Sequence, residues 1–339
     1  MSADDAGRAL LPAPEDDDVD LAALSRFAID PATTFVREAL GIWVPDDPEA
    51  PDENVPVELD GLEGWKVGQA LLAVDPSDTE ALDGVVAAAR GRGLLPPPEL
   101  RPGKVNTIPV MVEELRAHCA QVGVPADGSG NHVAVDIAVD RWRVHGAVSG
   151  VVGDRIVDVS YSRLTGKRLM RAWIDLLALT VQDPERPWES VVVGRDKVQR
   201  KDVASSRHID PLAPSADRRL ELATGFLGDL LKLRHDGLRE PLIVPSDTAH
   251  AYAKARVVDH EAPEEADNTA CKAWDPHPMG FSSDCGRPAH VLLLGDVHTY
   301  DRLTREPPRP ADERLGMAAE PPRFGALALR LWAPPLQRP

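Results

Sequence analysis

The sequence predicts an α+β fold, with a mixed or antiparallel central sheet flanked by helices. Three observations predict it. Residues 132–161 hold three consecutive β-rich runs separated by turn signals. Helical periodicity comes before and after that block rather than alternating with it. The 339 residues are 43% hydrophobic and 27% charged, a balance that supports a substantial core.

Each element has a local reason. Residues 1–19 are an acidic, proline-containing leader expected to be disordered. Asp20 suits the N-cap of a helix over Leu21–Phe27. Pro31 suits the first turn of a helix running to Leu40, Gly41 its C-cap, and Pro45 the end of the element. Residues 46–56 form an acidic loop, and a further helical unit begins near Leu62. Thr79–Arg90 is a helix closed by Gly91-Arg92-Gly93. Val110–Val122 is another, with Met111, Leu115 and Cys119 at helical spacing and Gly123 at its end. Strands are expected at His132–Val139, Trp142–Val152 and Arg155–Tyr161, the last two joined by a Gly153-Asp154 turn. A helix over Lys167–Val181 and a strand over Trp188–Val193 follow. Residues 194–209 are basic and polar, as in an exposed loop.

Residues 216–235 form a long amphipathic helix with Leu220, Phe226, Leu227, Leu230 and Leu231 on its buried side. Asp247–Ala255 is a short helix, 259–289 a long polar insertion, and Val291–Leu294 a short apolar run. The final helix, FGALALRLWAPPL, is stopped by Pro334-Pro335. Residues 20–339 thus form one domain: a helical part over about 20–130, a sheet core over about 131–193, and helices with the polar insertion over about 194–339.

The hairpin and following helix have the layout of a PD-(D/E)xK, restriction-endonuclease-like nuclease fold. Such enzymes place one acid near the end of the first strand and an acid-x-lysine on the second. The carboxylates hold Mg²⁺ and the lysine steadies the attacking water. Here the first position holds Ser149, the second Asp158, and the lysine position Ser160. A serine replaces neither a metal-binding carboxylate nor the lysine's charge, so the fold is expected to be degenerate and catalytic residues absent. Asp136, Asp140 and Asp154 fit turn and cap positions.

The net charge of −17 is unevenly distributed. Residues 1–60 carry sixteen acids against three bases, whereas 141–201 carry twelve bases against seven acids. Arg163, Lys167, Arg168 and Arg171 are candidates for DNA binding, with Lys167 and Arg171 one helical turn apart. Cys271, His277, Cys285 and His290 could ligate zinc, but their C-x5-H-x7-C-x4-H spacing lacks a tight CxxC pair and favours unrelated loop residues. Trp142, Trp173 and Trp188 suit core positions better than base stacking. His208, His235 and His250 have no serine or cysteine partner of a hydrolase triad. Three cysteines make no disulfide framework, which suggests a reduced, cytoplasmic setting, and no apolar run reaches 18 residues.

Five blocks in this order resemble the C-terminal part of RecC, the gamma chain of exodeoxyribonuclease V (the RecBCD helicase-nuclease). They are residues 24–42, 57–72, 145–179, 237–253 and a late block around AHVLLLGDV at 289–297. The resemblance implies a nuclease-like domain without nuclease residues, in a complex that repairs double-strand breaks by recombination. It implies RecB-type and RecD-type partners, contact with double-stranded DNA ends and single-stranded DNA, and no membrane association. It implies no cofactor in this chain, with ATP and Mg²⁺ used by partner subunits. A whole gamma chain is much longer and has a degenerate helicase part. None of that part, and no GxxxxGK[ST] motif, occurs here, so Met1 is taken as the start of a fragment, a split gene product or a misplaced start. The alternatives are a pure protein-interaction module, a nonfunctional truncated remnant, and an active Mg²⁺-dependent nuclease that uses Asp158 in an unusual arrangement.

Overall fold

The computed structural model describes residues 10–12, 17–44, 61–92, 107–199, 201–275, 283–309, 320 and 322–337. The expectations for 46–56 and for most of the acidic leader lie outside the described residues; the end of that leader is not disordered, because Asp18 and Val19 enter a strand paired with Arg143 and Val144. The described strands are β1 (Asp18–Asp20), β2 (Asn131–Val139), β3 (Trp142–Val152), β4 (Arg155–Arg163), β5 (Glu189–Val198) and β6 (Lys201–Ile209). They form one sheet in the order β1-β3-β4-β5-β6, with β2 also paired to β3. The β2–β3, β3–β4 and β5–β6 pairs are antiparallel, while β1–β3 and β4–β5 are parallel. The sheet is therefore mixed. A parallel neighbour requires a crossover, and helix α6 (Gly166–Gln182) supplies it between β4 and β5.

Both faces of the sheet are covered. Ile156 and Val192 enter a large core with α1 (Leu21–Ile29), α6 and α7 (Ala216–Gly237). Their neighbours Val157, Val191 and Val193 point the other way. They join Val159 and Tyr161 in a second core with α3 (Gly61–Leu72), α4 (Thr79–Gly91) and α5 (Thr107–Val122). A strand buried on both faces has no polar side to show, which accounts for the unbroken Val191-Val192-Val193 run. The large core continues into α8 (Ser246–Val257), α9 (Pro263–Trp274) and α11 (Arg323–Leu336). Its Trp332 has no exposed surface, so Trp332→Ala is expected to cost about 3–5 kcal/mol.

Helix starts follow the predicted chemistry. The Asp20 carboxylate accepts from Ala23 N at 2.8 Å, capping α1. Asp30 accepts from Thr33 N at 2.9 Å, and Pro31 opens the short α2 (Pro31–Thr34). The expected helix to Leu40 changes pitch: Phe35–Ala39 is a π-turn, in which Leu40 N donates to Phe35 O at 3.1 Å. Gly41 then takes a φ of +66°, and the helix ends where expected.

Several expectations are corrected. Residues 194–209 are not a loop: β5 runs on to Val198 and pairs with β6 throughout. β6 is an edge strand with mostly half-exposed residues, so it lacks the apolar alternation that would have marked it. Leu220 is 37% exposed, and the adjacent Arg219 is buried instead. Its guanidinium donates to the carbonyls of Pro184, Glu185, Ala213 and Pro214. Pro334 and Pro335 do not stop α11 but form part of its last turn. Every residue of that helix is buried, and packing holds the turn despite two missing N–H donors. The polar insertion contains α9, opened by Pro263, and the apolar run 291–294 closes a helix, α10 (Pro288–Leu294).

Candidate functional site: a cavity beside the β3–β4 hairpin

A cavity of about 370 Å³ opens between α1, the β3–β4 hairpin and α6. Ser25, Asp127, Ser149, Asp158, Arg171 and Asp175 give it its polar lining. The hairpin positions two of them. Val152 pairs with Arg155 across the Gly153-Asp154 turn, which brings the ends of β3 and β4 together. Gly150 sits at φ +75°, and a Cβ there would collide with the Val157 carbonyl, so this bend in β3 requires glycine.

The structure brings Ser149 and Asp158 into one cavity and turns Ser160 away from it. Ser149 Oγ is 2.9 Å from His132 Nδ1 on β2. Ser160 Oγ donates to Gln69 Oε1 on α3 at 3.0 Å, and the same oxygen accepts from Tyr161 N at 2.8 Å. Ser160 thus ties the sheet to α3. Asp158 is held by Arg168. Nε of the guanidinium donates to Asp158 Oδ2 at 2.8 Å. Nη2 donates to the carbonyl of Asp158 at 3.0 Å and to that of Val193 at 2.9 Å. A Cβ at Gly194 would lie 2.5 Å from Arg168 Nη1, so glycine makes room for this guanidinium.

Asp175 was not anticipated as a site residue. It lies in the apolar run of α6, one turn beyond Arg171, and its charge in that run is the signal that could have found it. Burial pushes its carboxyl up to about 7; Arg171 opposes that rise and Asp158 adds to it.

The four basic candidates do not share one environment. Arg168 is 14% exposed and points inward. Arg171 is exposed at the cavity edge. Lys167 Nζ lies 3.9 Å from Asp247 on α8. Arg163 reaches Asp202 on β6 at 3.4 Å, and Arg195 meets the same carboxylate at 3.7 Å while lying over the Tyr161 ring.

The other constellations resolve locally. Cys271 Sγ donates to Asp275 at 3.0 Å, and His290 Nδ1 is 2.5 Å from the Asp284 carbonyl. His277 lies outside the described residues. Among the described residues no group of three or more His, Cys, Asp or Glu is placed to hold a metal ion, and no helix is long and apolar enough to cross a membrane. Trp173 and Trp188 are buried; Trp142 is half-buried beside His235. Asp140 occupies the β2–β3 turn at φ +52°; Asp136 is at neither a turn nor a cap but within β2, where it forms a two-pronged pair with Arg143, 2.8 Å on each side.

Fold and cavity define a class: an α+β unit whose mixed sheet is flanked by helices, with a polar cavity beside its β3–β4 hairpin. The family model described as the RecC C-terminal domain matches residues 16–257, and the chain belongs to that family. It is 34% identical to the RecBCD enzyme subunit RecC of Mycobacterium tuberculosis (strains CDC 1551 / Oshkosh and ATCC 25618 / H37Rv), over 96% of this chain and 27% of that protein. It is also 34% identical to the RecBCD enzyme subunit RecC of Mycolicibacterium smegmatis, over 96% of this chain and 28% of that one. The chain thus spans little more than a quarter of the length of these relatives.

Proposed function

We propose that this chain is the noncatalytic, DNA-guiding and assembly portion of a RecBCD-type exodeoxyribonuclease V acting in double-strand break repair, on a degenerate PD-(D/E)xK scaffold. The observation that carries the reading is the occupancy of Asp158. This is the acid a nuclease would offer to Mg²⁺, and here it is bonded to Arg168. Its neighbour across the hairpin is the hydroxyl of Ser149, and Asp175 is half protonated near neutrality. Mg²⁺ requires several ionised oxygen ligands in tight octahedral geometry; the other carboxylate of the lining, Asp127, accepts from Ser129 N at 2.9 Å, and among the described residues no three such groups are placed to hold a metal ion. Phosphodiester cleavage and ATP hydrolysis would then belong to RecB-type and RecD-type partners.

The guiding part of the reading rests on charge. Residues 194–209 carry five bases against two acids in a chain of net charge −17. The strand residues among them form the β5–β6 ribbon, with Lys197 and Lys201 exposed near its tip. Such a ribbon can hold phosphates without reading sequence.

The test has two parts. The purified chain should leave linear duplex DNA intact in Mg²⁺; cleavage that Asp158→Asn abolishes would overturn the noncatalytic reading. The chain should also co-purify with the RecB-type subunit of its own organism and bind DNA ends. Loss of both properties would leave only a remnant.

A protein-docking module is favoured by one observation. Trp43 is 79% exposed, flanked by Leu40 at 40% and Ile42 at 42%, and exposed apolar clusters mark interaction surfaces. Charge reversal at Lys197 and Lys201 separates the readings: a pure docking module would support unwinding unchanged once assembled.

A further inference from the structure

A second cavity, of about 390 Å³, lies between the start of α6, strands β5 and β6, and helices α8 and α11. Its lining includes the apolar Leu164, Leu169 and Val258. Arg207 and Asp196 from the β5–β6 pair and Lys254 from α8, one turn before Val258, add charged groups to it. Both cations are surface groups with carboxylate neighbours: Arg207 meets Asp196 at 2.7 Å, and Lys254 meets Asp259 at 3.1 Å. About half of each cationic side chain faces solvent.

His250 lines the same cavity. Its ring packs over Gly166, where a Cβ would come within 2.6 Å of it, and edge-on to Trp332 with centroids 5.2 Å apart. No hydrogen bond holds the imidazole among the described residues. Burial, opposed by Asp247 and aided by Lys254 and Arg207, pushes it down to about 4. At neutral pH the ring is therefore an uncharged flat wall.

An apolar recess with a flat ring, rimmed by cations and opening beside a basic ribbon, matches the two halves of a nucleotide. A nucleobase packs on apolar and ring surfaces whatever its sequence, and its phosphates seek Lys and Arg. We propose that this cavity receives one unpaired nucleotide of a single strand lying along β5–β6, its base against Leu164, Leu169 and Val258 beside His250 and its phosphate on Arg207 and Lys254. The assignment rests on the DNA-guiding reading and adds a subsite to it.

The test uses oligo-dT carrying one 2-aminopurine, titrated with the full chain while anisotropy and 2-aminopurine emission are read together. Val258 is 42% exposed, so Val258→Trp can fill the recess without disturbing the core. The wild type should bind and change the emission of the probe base. Val258→Trp should abolish that change and weaken binding at least about fivefold, the low end of what packing one base contributes. Lys254→Ala should weaken binding and leave the emission of the bound probe altered. Binding by the wild type with emission and affinity unchanged in a folded Val258→Trp variant would overturn the subsite and leave the guiding reading standing. No binding of single strands or duplex ends by the wild type would overturn both.

Discussion

Arg168 Nε donates to Asp158 Oδ2 at 2.8 Å, joining helix α6 to the middle strand of the sheet. The same guanidinium bonds the carbonyls of Asp158 and Val193, so one side chain ties together β4, β5 and α6. Arg168→Ala would leave a carboxylate and two carbonyls without their donor. Hydrogen bonds to charged groups contribute about 1.5–3 kcal/mol each, and Asp158 keeps some solvent. The expected loss is about 2–4 kcal/mol in urea unfolding. Gly194→Ala should also destabilise, because the added methyl would meet both Nη1 and the Ser162 carbonyl. Wild-type stability in either variant would contradict the geometry.

Asp175 gives stability a pH dependence of known sign. Its folded-state carboxyl titrates near 7, raised by burial, against an ordinary value of 3.8. Between those values the native chain holds a proton that the unfolded chain has released. Stability from this group is therefore full below pH 4 and falls as pH rises towards 7. Asp175→Asn removes the penalty. It should stabilise the protein at pH 8, by at most about 4 kcal/mol, and change little at pH 4. Urea midpoints at the two pH values check it; equal effects at both would show that Asp175 ionises freely.

A third prediction concerns Asp284, in the segment that the sequence marks only as polar. Its Oδ2 accepts from Thr248 N at 2.9 Å, Thr248 Oγ1 at 2.8 Å and Asp247 N at 3.1 Å, capping α8 from outside that helix. Arg287 Nε lies 2.8 Å from Oδ1. Asp284→Ala removes the cap and one partner of Arg287, which retains Asp30 and Asp247 nearby. The expected cost is about 2–4 kcal/mol. Asp284→Asn keeps an acceptor and should cost less, which orders the two variants in a thermal melt.

These sites show where sequence reasoning stops. Asp20, Pro31 and Gly153-Asp154 act on residues within a few positions, and the cap, the helix start and the turn were legible. So were β2 to β4, whose apolar patterning repeats over many residues. Arg168–Asp158, Ser160–Gln69 and Asp284–Thr248 are contacts across elements, and no local pattern announces them. Arg168 shows the cost: its sequence neighbours Lys167 and Arg171 suggested one basic face, yet its guanidinium turns into the sheet. Strand β6 was missed for a related reason. Its hydrogen bonds to β5 define it, and its side chains, mostly polar, resemble those of a loop.

The last prediction concerns the salt dependence of DNA binding. Lys197 and Lys201 lie near the tip of the β5–β6 ribbon, opposite Asp202 and Val198 in the register, and both are exposed. Neither has an ion pair among the described residues, whereas Arg163 and Arg195 meet Asp202. A cation without a partner is free to displace counterions from a phosphate backbone. Each such contact on a single strand contributes roughly 0.7 to the slope of log affinity against log salt. Lys197→Gln with Lys201→Gln should therefore reduce that slope by roughly 1.4 and weaken binding similarly on all sequences. Arg163→Gln, which removes a cation already beside Asp202, should change the slope less. Anisotropy titrations across a salt series measure both. An unchanged slope in the double variant would place the DNA path away from the ribbon tip.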